Sequence, residues 1–116
     1  MGISVRVLKE TQEENTYRLA RETAELIGSS AALNRSDVAA NSDYVGEGYG
    51  MTEVVEMTAR HESILLDPVY SGKGMAGLID LVRQGFYRRD ENIVFIHTGG
   101  AQALSGYRSL FGQRVV

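Results

Sequence analysis

Two glycines that follow an apolar run offer this sequence its most suggestive chemistry. In HTGGAQAL, at 97–104, a strand-to-helix turn would let backbone approach a ligand closely. It would also present the free N–H groups of a helix amino terminus to an anion or a polar ring atom. The same glycines suit a tight turn that binds nothing, and spacing alone does not separate the two readings. Tyr70 follows the sole proline, Pro68, at the end of an apolar stretch, where open α/β sheets place their ligands. A free phenol titrates near ~10, so it would need a neighbouring cation or base to act as base or nucleophile. Tyr44 and Tyr49 stand in the glycine-dense run DYVGEGYG at 43–50. Each could stack on a planar ligand or anchor the loop to the core.

Other constellations are weaker. His97 ends a strand-like segment and His61 a helical one, and nothing supplies a third ligand at metal spacing. His97 therefore reads as a hydrogen-bonded turn residue. The glycines at 46, 48 and 50 imitate a dinucleotide fingerprint, yet no clear strand precedes them and the third glycine of the motif would fall on Met51. A Rossmann cofactor site is rejected on that ground. No serine sits in a GxSxG elbow, so a hydrolase triad lacks support.

The elements that would position these residues follow from periodicity. Residues 2–8, GISVRVL, alternate apolar and polar side chains and predict a strand. Thr11-Gln12-Glu13-Glu14 has the form of a capping box, and Tyr17, Ala20, Ala24 and Ile27 recur at helical spacing before Gly28. A capped helix over 11–27 is expected. Residues 29–51 lose periodicity and read as a long functional loop. Thr52 can cap a second helix that gives out near Ser63, and Ile64-Leu65-Leu66 reads as a short buried strand stopped by Asp67-Pro68. A third helix starts at Ser71 or Gly72 and ends at Gly85, residues 92–96 form an apolar strand of parallel-sheet type, and a fourth helix runs from Ala101 to Phe111. The order β-α-loop-α-β-α-β-α predicts an α/β fold: a small three-layer unit with a short parallel sheet of three to four strands flanked by helices.

Composition narrows the function classes. A chain of 116 residues buries roughly 65% of its unfolded surface, enough for one core, so residues 1–116 are expected to form a single domain. A net charge of −3 with no Lys/Arg block argues against nucleic acid. The absence of cysteine excludes disulfides, thiolate metal sites and a Cys nucleophile. No apolar run approaches the ~20 residues of a membrane span, and no basic-then-apolar leader follows Met1-Gly2, so a cytoplasmic location is expected.

Three segments carry a resemblance: DYVGEGYG at 43–50, ILLDPVYSGKGMAGLIDLVRQG at 64–85 and NIVFIHTGGAQALSGY at 92–107. Together they resemble the D-cysteine desulfhydrase and 1-aminocyclopropane-1-carboxylate deaminase family of pyridoxal phosphate enzymes, of the tryptophan-synthase-β fold type. The resemblance covers nearly the whole chain but about the last third of a family member. It implies that Tyr49 and Tyr70 flank the substrate side of the cofactor, with Tyr70 in the catalytic role. Thr98 matches the residue whose hydroxyl faces the pyridine nitrogen, with Gly99 and Gly100 beside it. Ser71 falls where deaminases carry a glutamate to that nitrogen, which shifts the likeness toward the desulfhydrases. A hydroxyl partner leaves the ring nitrogen largely neutral, a setting compatible with α,β-elimination. The segment between Tyr49 and Tyr70 is shorter than the family usually spends there.

The chain's two lysines, Lys9 and Lys73, match no Schiff-base motif of the family, and the part that holds this lysine and the phosphate loop lies outside the resemblance. The expectation is a truncated relative of a lyase that releases sulfide and ammonia from a small amino acid. By itself it would not be catalytic and would bind pyridoxal phosphate weakly or not at all. The alternatives are a non-catalytic association module and one half of a split enzyme. The expected partners are accordingly a second copy, an amino-terminal partner chain, or a small amino-acid ligand.

Overall fold

Gly2–Ile3 forms β1 and Ala40–Asn41 forms β2, paired in parallel with Gly2 opposite Ala40 and Ile3 opposite Asn41. This is seen in a computed structural model that describes residues 2–3, 7–42 and 50–112. Parallel strands need a crossover, and α1, Lys9–Leu26, supplies it. The chain is thus a small α/β fold with a short parallel sheet. It divides into two compact units, Met1–Gly46 and Glu47–Val116.

In the first unit the helix begins earlier than its capping-box sequence suggests. Leu8 is the N-cap and offers no side-chain bond, so Thr11 lies within the first turn and cannot cap. Glu13 is used differently: its Oε1 accepts the Ala40 N–H at 2.9 Å and ties α1 to β2. The face with Tyr17, Ala20 and Ala24 is half-buried as the spacing predicts, whereas Ile27 is exposed. The helix ends where expected. Gly28 takes a φ of 66°, its N–H reaches Glu25 O at 3.1 Å, and the Ser29 N–H reaches Ala24 O at 2.9 Å, the paired bonds of a Schellman close. The stretch read as one long loop carries a 3₁₀ turn, Arg35–Asp37, capped reciprocally by Asn34 and Asp37, and then β2. Of the first predicted strand, residues 4–6 lie outside the described residues, as do 43–49 of the glycine-dense run.

In the second unit α2 spans Met51–Glu62, with Gly50 at its N-cap in place of Thr52, and α3 spans Ser71–Arg83. The two helices pack together around buried Val54, Val55, Leu66, Ala76 and Leu81. Their close approach is set at Gly72, where an added Cβ would stand 2.6 Å from Asp67 O and 2.8 Å from Val55 Cγ2. α3 closes on Gly85 by the same pair of bonds as α1, Gly85 N–H to Val82 O at 3.1 Å and Phe86 N–H to Leu81 O at 3.0 Å. Residues 101–111 form a helix within the expected bounds, but it is 3₁₀ rather than α and breaks helical geometry at Tyr107.

One expectation fails here. The strands predicted at 64–66 and 92–96 do not form, and the described sheet has two strands, not three to four. A parallel strand is stable when neighbours ladder with it and cover both faces. Among the described residues of this unit none pairs with either segment, and Val94 and Ile96 stand 83% and 78% exposed.

Candidate functional site

The site is built on the turn that connects Leu66 to α3. Pro68 cannot donate a backbone hydrogen bond, and the three N–H groups that follow it, which precede or open the helix, need acceptors. Asp67 provides them. Its Oδ1 accepts from Val69 N–H at 2.9 Å and Tyr70 N–H at 2.7 Å, and its Oδ2 accepts from Ser71 N–H at 2.8 Å. Ser71 Oγ donates to Oδ2 at 2.6 Å and accepts from the Asp67 N–H at 2.8 Å. The Asp67 main chain joins in, its carbonyl accepting from Gly72 N–H at 2.7 Å.

Asp67 is 2% exposed. Burial pushes its carboxyl up, but the bonds from the Ser71 hydroxyl and from the Ser71, Tyr70 and Val69 N–H groups outweigh burial and hold it below its ordinary value of 3.8. The carboxylate is ionised at neutral pH. The sequence pattern marks Asp67 as a strand stop and does not reveal this role. The available signal was an Asp immediately before Pro, the start of an Asx-type turn.

The second part of the site is the turn 97–100, which meets the first turn at Asp67 and the segment just before it at Leu65. His97 Nε2 lies 3.0 Å from Leu65 O, and Gly99 N–H donates to Nδ1 at 3.2 Å. A donor to Nδ1 requires its lone pair, so the proton sits on Nε2 and is given to the carbonyl. His97 is the hydrogen-bonded turn residue its surroundings predict. At the other end Gly100 meets Asp67: a Cβ there would lie 2.8 Å from Oδ2, and its φ of 100° suits glycine. Gly99 has a φ of 103° and open space where a Cβ would be.

The structure therefore brings five of the sequence-predicted residues, Tyr70, Ser71, Thr98, Gly99 and Gly100, onto two clasped turns. Tyr70 is 50% exposed and Thr98 is exposed, while Ser71 is buried and its one hydroxyl hydrogen is spent on Asp67. Tyr49 and Tyr44 lie outside the described residues. Lys73 sits on α3 and Lys9 on α1, 3.9 Å from Glu13. Among the described residues no cluster of His, Asp or Glu could hold a metal ion, and no helix is long and apolar enough to cross a membrane.

The chain as a whole is similar to known proteins. The chain is 37% identical over 116 residues to the 1-aminocyclopropane-1-carboxylate deaminase of Burkholderia vietnamiensis, covering 96% of this chain and 34% of the relative. The same enzyme of Burkholderia cenocepacia is 39% identical with the same coverage, and that of Methylobacterium nodulans 37%. A crystal structure of a protein described as an ACC deaminase homologue superposes with a TM-score of 0.72 at 31% identity, over 93% of this chain and 34% of that one. Over nearly its whole length the chain is similar to a C-terminal portion of the 1-aminocyclopropane-1-carboxylate deaminases. It spans about a third of the length of these deaminases. No protein-family model matches it.

Proposed function

We propose that this deaminase-like chain carries one edge of a pyridoxal phosphate site, in the cytoplasm, for a lyase of desulfhydrase type, and that the chain alone does not catalyse. The observation that carries the reading is the clasp of the 67–72 and 97–100 turns, which sets exposed Tyr70 and Thr98 on neighbouring loops. These residues fit part of the cofactor. The open backbone at Gly99 can take a flat ring closely, and Thr98 offers a neutral hydroxyl to its nitrogen. Ser71 has no hydrogen left to give, so its share is to hold the turn. The fit stops there, because Lys73 and Lys9 lie on α3 and α1 and match no Schiff-base motif.

When bound in a complete site, the cofactor withdraws electrons from the α-carbon of an amino acid. Toward it Thr98 would orient the ring, and Tyr70 would present a phenol that can hold or pass a proton on the substrate side. A neutral hydroxyl at the ring nitrogen supports α,β-elimination, releasing sulfide and ammonia from a small amino acid such as D-cysteine. Pyridoxal phosphate titration followed by borohydride reduction and intact mass tests the reading. Little saturable absorbance and no covalent adduct are expected from the chain alone. Sulfide release from D-cysteine is expected once a polypeptide supplying the other two thirds of a relative is bound. A single-site reducible adduct on Lys9 or Lys73 overturns the claim of incompetence, and a verified complex without sulfide release overturns the desulfhydrase assignment.

A second reading, an association module that pairs with another copy or with a complementing chain, is favoured by exposed Leu65, Val94 and Ile96. A monomer in light scattering at all concentrations, with no complex formed on adding the complementing polypeptide, would count against it.

A further inference from the structure

We infer that Asp67 is a positioning residue that couples the Tyr70 turn to the Thr98 turn, an inference that rests on the function proposed above for those two residues. A local cap would need its carboxylate to reach no further than the helix it serves. Here the two oxygens divide the task. Oδ1 takes the Val69 and Tyr70 N–H groups and so fixes the backbone that carries the phenol. Oδ2 takes both Ser71 donors and also forms the surface on which Gly100 rests, with room for a hydrogen but not for a methyl group.

The 97–100 turn has its other anchor at the far end, where His97 grips Leu65 O, two residues before Asp67. Thr98 and Gly99 are thus strung between a contact to residue 65 and a contact to residue 67. Rotating or displacing the carboxylate moves Tyr70 and Gly100 together. Because the carboxylate accepts four hydrogen bonds and is almost wholly enclosed, it has one arrangement available. The spacing between Tyr70 and Thr98 is set by a carboxylate that holds the Tyr70 backbone N–H and backs Gly100.

Amide spectra of the full chain separate this role from simple capping, without any cofactor. Asp67→Asn keeps an oxygen for Val69 and Tyr70 but puts an NH2 group where Oδ2 meets Ser71 and Gly100. Resonances of Thr98, Gly99 and Gly100 should shift along with those of 70–72, and hydrogen exchange at Gly99 should quicken about tenfold, while α2 stays unmoved. Ser71→Ala, which leaves the carboxylate facing Gly100, should disturb 67–72 alone. Gly100→Ala supplies the reciprocal test if Asp67→Asn does not fold, since its methyl should shift the Tyr70 and Ser71 amides. Changes from Asp67→Asn confined to 68–72, or from Gly100→Ala confined to 97–102, overturn the coupling. Pyridoxal phosphate titration of the same variants reads the other question: no binding in any complemented form defeats the functional proposal and leaves the coupling intact.

Discussion

Asp67 and Ser71 close a small ring, in which the serine hydroxyl donates to Oδ2 at 2.6 Å and accepts from the aspartate's own N–H at 2.8 Å. Both residues are buried, so neither bond can be replaced freely by water. Ser71→Ala should therefore cost about 1–2 kcal/mol, since it strips a charge-assisted bond and leaves a buried N–H without its acceptor. Urea unfolding followed by far-ultraviolet circular dichroism checks the figure. A loss under a few tenths of a kcal/mol would show that water enters the turn.

The lowered Asp67 carboxyl makes stability depend on pH in a definite direction. Its folded-state value lies below the unfolded 3.8, so its contribution is fully present above the unfolded value and is lost as pH falls through the folded one. Urea midpoints should be flat for this group at neutral pH and fall from about pH 5 downward. Asp67→Asn should be less stable at neutral pH and should show a shallower acid limb than the parent. The same acid slope in both proteins would remove Asp67 as the source.

Two glycines on α3 should respond oppositely to alanine. At Gly72 the new methyl would meet Asp67 O at 2.6 Å, Val55 Cγ2 at 2.8 Å and Met51 Cγ at 3.3 Å. A backbone carbonyl cannot swing away, so Gly72→Ala should destabilise by roughly 1–3 kcal/mol. At Gly74 the nearest neighbour is Phe95 Cε2 at 3.6 Å, an ordinary contact. Gly74→Ala should stabilise by up to about 1 kcal/mol through helix propensity. Thermal melts of the two variants give the signs directly.

Such contrasts show which features were legible in the sequence. Gly28 and Gly85 mark helix ends because the left-handed residue there favours glycine, and both take positive φ. The bounds Ala101 and Phe111 could be read from the apolar spacing, whereas the 3₁₀ winding could not, because it depends on hydrogen-bond register. β2 was hidden because Ala40 and Asn41 are poor strand formers whose pairing comes from β1 and from Glu13. Ile93 to Ile96 misled for the opposite reason. Their apolar pattern predicts a buried strand, but burial requires partners that the described chain does not bring, and Val94 and Ile96 remain exposed. At the site, Thr98, Gly99, Gly100 and Tyr70 could be named from motif and resemblance. Asp67 could not, since its task combines bonds within its own turn with a packing contact against Gly100 on a second turn that is distant in sequence.

The clasp at His97 should be measurable apart from Asp67. Its ring accepts the Gly99 N–H at 3.2 Å and donates to Leu65 O at 3.0 Å, and the residue is exposed. His97→Ala should thus cost about 0.5–1.5 kcal/mol and raise Gly99 amide exchange, while leaving exchange in α3 unchanged. His97→Asn retains a donor and an acceptor but is shorter, so it should recover part of the protection. Unaltered Gly99 exchange in His97→Ala would mean that Gly100 against Asp67 holds the turn by itself.

Glu13 gives the first unit an equivalent test, because its carboxylate joins a helix to a strand by one bond, Ala40 N–H to Oε1 at 2.9 Å. β2 is two residues long and, among the described residues, pairs with β1. Glu13→Ala should fray β2, raising exchange at Ala40 and costing about 1 kcal/mol. Glu13→Gln keeps an amide oxygen in reach and should restore most of the protection at Ala40. The nearby Arg35–Glu14 pair, at 3.0 Å between exposed groups, is expected to contribute less, since surface ion pairs are worth about 0–1 kcal/mol. Greater loss from Glu14→Ala than from Glu13→Ala would reverse this ranking and move the anchor of the unit to the 3₁₀ turn, where Arg35 also lies 5.5 Å over the Tyr17 ring.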